Sequence, residues 1–213
     1  MNRIDDPQQL AVAVGVLTAA ESRFQNIVDR HGLPPLRRSA DGLRVLLRIV
    51  TDQLISLKAG EAIWRRVEPE LDPFEPATIA RLPDAHLRGL GLSGAKARTF
   101  RAVAEAVEKK HIDFDKLATL PDREVLAALT AIKGIGPWTA DIYLLSAMGR
   151  ADAWPTGDLA LQVAAQDLLG LANRPFPKDM EQLAEAWRPW RSVAARLLWS
   201  HYRAIRGLSQ DVS

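Results

Sequence analysis

Apolar residues in this chain recur at intervals of three and four, the periodicity of helices packed on one face. In the first segment Asp6 and Pro7 stand as N-cap and first helical residue. Leu10, Val14, Leu17, Phe24, Ile27 and Val28 follow at helical spacing, predicting one long helix that ends at Gly32 and Pro34-Pro35. A second helix is expected over 43–55, with Leu43, Leu46, Leu47, Val50 and Leu54 as its buried stripe. Ser56 caps a third through Val67, before Pro69 and Pro73 break the pattern. Short helices follow, punctuated by Pro76, Pro83 and Gly89-Leu90-Gly91, and Ser93 caps a long helix over 94–110. Pro121 and Pro137 each open a helix, Asp158 precedes one that reaches Leu169, and Pro177 and Pro189 introduce the last two. No strand-like alternation of useful length occurs. The expected fold class is all-α.

The turn between the Pro121 and Pro137 helices carries the strongest local signal. An apolar run through Leu129 stops at Gly134-Ile135-Gly136, and a helix restarts at once with Pro137. Two glycines one residue apart allow a tight turn and close approach to another chain. The amides of Gly134, Gly136 and the next turn would face outward at a helix N-terminus, a ready site for an anion such as phosphate. By itself the tripeptide also fits an ordinary corner between core helices.

The longer context is more specific. Residues 129–140 resemble the helix-hairpin-helix element with the pattern L-x-x-[IL]-x-G-[IV]-G-x-x-[TS]-A. Trp154-Pro155-Thr156-Gly157-Asp158 resembles the Gly/Pro-rich loop ending in Asp that follows this element in the helix-hairpin-helix DNA glycosylase superfamily. Glu185-Ala186-Trp187-Arg188-Pro189-Trp190-Arg191-Ser192 resembles the [RE]-x-W-[KR]-P-W-R-S segment of the DNA-3-methyladenine glycosylase II family. In order, these motifs cover the chain from about Arg44 to Tyr202. The resemblance implies one glycosylase unit over 1–213, built of two helical lobes with a central cleft. The hairpin lies at about 121–149, the N- and C-terminal helices share a lobe, and the family's extra N-terminal β-rich domain is lacking, as in a short form.

That resemblance implies a base-excision enzyme that flips alkylated purines of the 3-methyladenine type out of double-stranded DNA and hydrolyses the N-glycosidic bond. Asp158 is the catalytic residue it implies, since a carboxylate stabilises an oxocarbenium-like sugar and orients water. Spacing alone makes Asp158 an N-cap, and the two roles are compatible. Trp138 and Trp190 are implied as the base pocket, because aromatic faces attract electron-poor or cationic bases. Trp187 fits either that pocket or the core, whereas Trp64 and Trp199 are expected in the core. Family members that also cut the strand carry lysine where this chain has Trp138, so simple hydrolysis leaving an abasic site is implied, without lyase activity. Lys133, Gly134, Ile135, Gly136 and Thr139 form the implied DNA-binding hairpin.

Gln53-Leu54-Ile55-Ser56 resembles the family's Q-[QL]-[IV]-S segment. There Gln53, Leu54 and Ser56 would meet DNA, with Leu54 as an apolar wedge or, equally, packed on its own helix stripe. Ser93 is expected as a cap, and Lys96 as a backbone neighbour. A monovalent cation, Na+ or K+, is implied at the carbonyls of Thr130, Ile132 and Ile135, with no other cofactor required. The four histidines show no ligand spacing. Arg188, Arg191, Arg196 and Arg203 on the last helix form either a DNA face or a solvated one. The competing readings are a hairpin DNA-binding protein without catalysis and a glycosylase for uracil, oxidised purine or mismatched adenine.

Composition narrows this further. Apolar residues make up 47% of the 213, yet no apolar run reaches the ~20 needed to cross a bilayer. Asp5 and Asp6 precede the first apolar stretch, which is not how a secretion signal begins. The absence of cysteine excludes disulfides, Cys-ligated zinc and the iron–sulfur cluster of some relatives, and a cytoplasmic, bacterial-type protein acting at the nucleoid is expected. The net charge of +2 is too small to argue for nucleic acid, although 21 of the 28 basic residues are Arg, a bias that either phosphate binding or a GC-rich genome produces. A single-site base-flipping enzyme gives no reason to expect more than a monomer.

Overall fold

The computed structural model describes residues 2–39 and 42–208. In chain order its helices are α1 Pro7–Ala20, α2 Arg23–His31, α3 Gly42–Asp52, α4 Leu57–Leu71, α5 Pro76–Arg81, α6 Asp84–Gly89 and α7 Gly94–Glu108. They continue as α8 Phe114–Thr119, α9 Asp122–Thr130, α10 Pro137–Ser146, α11 Leu159–Leu169, α12 Pro177–Glu185 and α13 Arg191–Ile205. Among the described residues the only β feature is an isolated bridge between Arg3 and Arg150. The fold is all-α. Two compact units divide the chain: Met1–Arg38 with Leu144–Ser213, and Ser39–Tyr143.

The first unit is built on α13, which packs against α1, α2 and α11 and buries Val193, Ala194, Ala195, Leu197 and Leu198. The single N-terminal helix expected from periodicity is two. Glu21 is extended (φ −135°), and its carboxylate takes both the amide and the guanidinium of Arg23. That local ion pair replaces helical hydrogen bonds, yet Phe24 and Ile27 still reach the core from α2.

The arginines near and on α13 do not share one face: Arg196 and Arg203 are buried, Arg191 is half-buried and Arg188 is exposed. Arg196 is 5% exposed and donates to the carbonyls of Pro35, Leu36 and Leu145. Burial, with the charges of Arg37 and Arg38, pushes its pKa down to about 10, so it stays charged at neutral pH. Arg203 is also buried, and Arg188 and Arg191 are tied to Asp152.

In the second unit α7 packs against α3, α5 and α6, and α3 also packs against α4. Pro69 lies inside α4 and removes the hydrogen bond its amide would give the Arg65 carbonyl, yet the helix continues to Leu71. Asp113 caps α8, a helix that periodicity alone did not mark. α3 stops at Asp52, three residues short of the expected end, and Leu54 is therefore not on its stripe. Asp52 pairs with Arg48 at 2.9 Å, while its Oδ1 is buried with no hydrogen-bond partner and Gly60 leaves it room. Gly134, at φ +94°, lies against Thr99, whose Oγ1 a Cβ at this position would overlap.

Gly134→Ala should therefore cost about 1–3 kcal/mol from the left-handed φ alone, and more from the overlap, read as a lowered denaturation midpoint. Asp52 yields a pH prediction. Burial raises its carboxyl above the ordinary 3.8, with Arg48 and Lys96 opposing. The stability this contributes is fully present below that ordinary value and is lost as pH rises through the raised folded value. As pH rises from below 3.8 through the raised folded value, the thermal midpoint of Asp52→Asn should rise relative to the parent; a constant difference would contradict the assignment.

Candidate functional site

Asp158 sits where the loop after α10 enters α11. Gly157 takes φ +81°, and the aspartate N-caps α11, its Oδ1 accepting the Leu161 amide at 3.0 Å. The same oxygen accepts the Trp199 indole N–H from α13 at 3.3 Å. A half-buried carboxylate is thus held by one contact local in sequence and one reaching across the unit.

The loop that carries it is anchored from behind. Trp154 is buried 5.6 Å from Trp187, centroid to centroid, and Trp187 meets the Phe24 ring edge-on at 5.3 Å. Arg191 grips Asp152 through both carboxylate oxygens and the backbone carbonyl, and Arg188 also donates to Oδ2. The Ser192 amide donates to the Ala151 carbonyl at 3.0 Å. The Trp-Arg-Pro-Trp-Arg-Ser segment therefore supports the aspartate loop through Trp187, Arg188, Arg191 and Ser192.

This redistributes the tryptophans. Trp187 is 5% exposed inside the aromatic cluster, so it is a core residue and no wall of a base pocket. Trp190 occupies the N-cap position of α13 and lines a surface pocket of about 350 Å³ with Ile4, Asp6, Gln9 and Val12, among others; Asp158 does not line that pocket. Trp199, expected in the core, is half-buried and is the indole that meets Asp158. The two are 41 positions apart, and no spacing rule links them. Trp138 is half-buried in the first turn of α10.

The hairpin closes as its sequence requires. The Ile135 amide donates to the Ile132 carbonyl at 3.0 Å, and Ala140 makes the first helical bond of α10 to Gly136. The amides of Gly136 and Thr139 precede any carbonyl four residues back in that helix, which is the arrangement that receives an anion. Lys133 and Gly134 are exposed at the tip.

Other members of the implied DNA-binding set are committed to the protein itself. Ile135 is buried, and the Thr139 side chain, 2% exposed, accepts the Gln53 amide at 2.8 Å. Gln53 also lies 3.5 Å from the Gly134 carbonyl, and Ser56 caps α4 by accepting the Ala59 amide. Lys96 donates to the Thr51 carbonyl at 2.7 Å. Leu54 does the opposite: it stands fully exposed, at φ +55°.

The chain is similar to known proteins over most of its length. Residues 47–189 match the family described as HhH-GPD superfamily base excision DNA repair protein. The chain is 29% identical over 191 residues to the alkylbase DNA glycosidase-like protein mag2 of Schizosaccharomyces pombe, covering 86% of this chain and 89% of that one. The 3-methyladenine DNA glycosylase Mag1 of S. pombe, solved in complex with abasic DNA, aligns with a TM-score of 0.83 and 25% identity over 93% of this chain and 98% of that one. A DNA-3-methyladenine glycosidase structure from Bacillus halodurans aligns with a TM-score of 0.74 and 30% identity over 99% and 96%. With its hairpin, its capped aspartate and this match over most of its length, the chain belongs to the HhH-GPD superfamily of base excision DNA repair proteins.

Proposed function

We propose that the protein is a monofunctional DNA glycosylase of the 3-methyladenine type, which hydrolyses the N-glycosidic bond of alkylated purines with Asp158 and leaves an abasic site. The observation that carries this is the Asp158 carboxylate, fixed by the Leu161 amide and the Trp199 indole. Loss of the base leaves positive charge on the sugar. A preoriented carboxylate stabilises that charge without rearranging in the transition state. An alkylated purine is already a good leaving group, so the chemistry asks for no general acid.

Hairpin amides at Gly136 and Thr139, with Lys133, receive the DNA backbone, and Leu54 enters the duplex as the wedge that favours extrusion of the damaged base. Trp199, beside the carboxylate, supplies an aromatic face for that base. Trp138 has no amine to attack the sugar, so the strand is left intact. The hairpin around Thr130, Ile132 and Ile135 has carbonyl oxygen and no carboxylate in 129–140, a donor set that suits a monovalent cation such as Na+ or K+. Such a cation would add charge for phosphate binding and takes no part in hydrolysis.

Duplex DNA treated with a methylating agent tests this reading. The parent should release free 3-methyladenine or 7-methylguanine, identified by chromatography, with no strand break until the abasic sites are cleaved by alkali. No release, or strand breaks formed with the release, would overturn it. The two tryptophans should separate in the same assay: Trp199→Phe loses the bond to Asp158 and should slow release about 3- to 10-fold, the worth of one hydrogen bond. Trp190→Phe should stay within about twofold.

A further inference from the structure

We infer that Gln53 and Lys96 are positioning residues for Leu54, together fixing the connection between α3 and α4 so that this side chain stands fully exposed beside the hairpin. The inference rests on the wedge reading of Leu54. That residue combines two features that oppose each other's relief. Its φ of +55° is a conformation that leucine seldom adopts, and its side chain, at 103% relative exposure, gains no burial in return. The conformation is imposed by its neighbours.

Those neighbours are tied on both sides. Lys96 donates to the Thr51 carbonyl, where the end of α3 lacks helical donors and a cation complements the dipole. The Thr51 hydroxyl bonds back to Leu47, and Asp52 is paired with Arg48. Gln53 donates to Thr139 Oγ1, in a place shielded from water because Thr139 is 2% exposed. Ser56 starts α4 as its cap. A leucine on a loose loop would fold down onto apolar surface; this loop has its ordering cost met before DNA arrives. Thr139 also belongs to the first turn of α10, whose amides face the backbone phosphate. The wedge and the phosphate cradle are thus parts of one hydrogen-bonded frame, and docking of the hairpin sets how far Leu54 reaches into the stack.

Fluorescence of 2-aminopurine placed beside a tetrahydrofuran abasic analogue in duplex DNA reads unstacking independently of excision. At saturating protein the parent should raise the signal. Gln53→Ala and Thr139→Val, which break one bond from its two ends, should each lower that rise about fivefold, and the double variant should be no worse than either. Thr139→Ser, which keeps the hydroxyl, should retain it, and Lys96→Met should fall with Gln53→Ala. Affinity should change by less than about threefold, since the phosphate contacts remain. Leu54→Ala should lose the rise, and adding Gln53→Ala should lose nothing more. A parental rise in both Gln53→Ala and Thr139→Val overturns the positioning role. A parental rise in Leu54→Ala removes the wedge and the positioning role together. The expected pattern in a protein that releases no base keeps the positioning role and removes the glycosylase reading.

Discussion

One carboxylate oxygen organises the candidate site. Asp158 Oδ1 closes the first turn of α11 and accepts the Trp199 indole from α13, so the group has a single orientation set from two directions. A helix cap is rigid because it satisfies an amide that would otherwise be orphaned. In the proposed reaction, stability and catalysis draw on the same bond. The rest of the first unit serves that placement. Phe24, Trp187 and Trp154 anchor the loop by packing, and Arg188 and Arg191 anchor it through Asp152.

The second unit follows a different logic. Its task is to present groups outward: backbone amides and Lys133 at the hairpin, and Leu54 at the end of α3. Presentation is only useful when the presented group cannot relax, and the supports are correspondingly buried. Thr139, Thr51 and the interior of α3 are among the least exposed parts of the chain, and they hold the loop that carries its most exposed leucine. Gly134 belongs to the same scheme: its left-handed φ and its contact with Thr99 let the hairpin turn while seated on α7.

Periodicity and capping residues made most helices legible. Ser56, Ser93 and Asp158 cap the helices they were expected to cap, and Pro137 heads α10. Periodicity failed where two helices share one phase: Leu17 and Phe24 fit one helix, but the Glu21–Arg23 pair turns the chain between them. It failed again at Leu54, where a stripe residue proved to lie beyond the helix end. The division of the chain into units was not legible because its second boundary falls inside α10, between Tyr143 and Leu144, with no change in composition. The cap at Asp158 was readable from its place before an apolar helix. Its indole partner was not, since Trp199 resembles any apolar residue on a buried helix until folding brings it to Asp158. Arg191 and Arg196 were misread for a similar reason. A charged residue suggests solvent or phosphate, and only the tertiary structure shows Asp152 and the three carbonyls that claim them.

The most direct measurement is the single-turnover rate of 7-methylguanine release by Asp158→Asn, taken together with its thermal midpoint. Asparagine caps helices as well as aspartate does, so the midpoint should stay close to the parent's while the rate falls by at least about 10²-fold. A rate near the parent's in a folded variant would show that Asp158 is a cap and nothing more, and that the chemistry lies elsewhere.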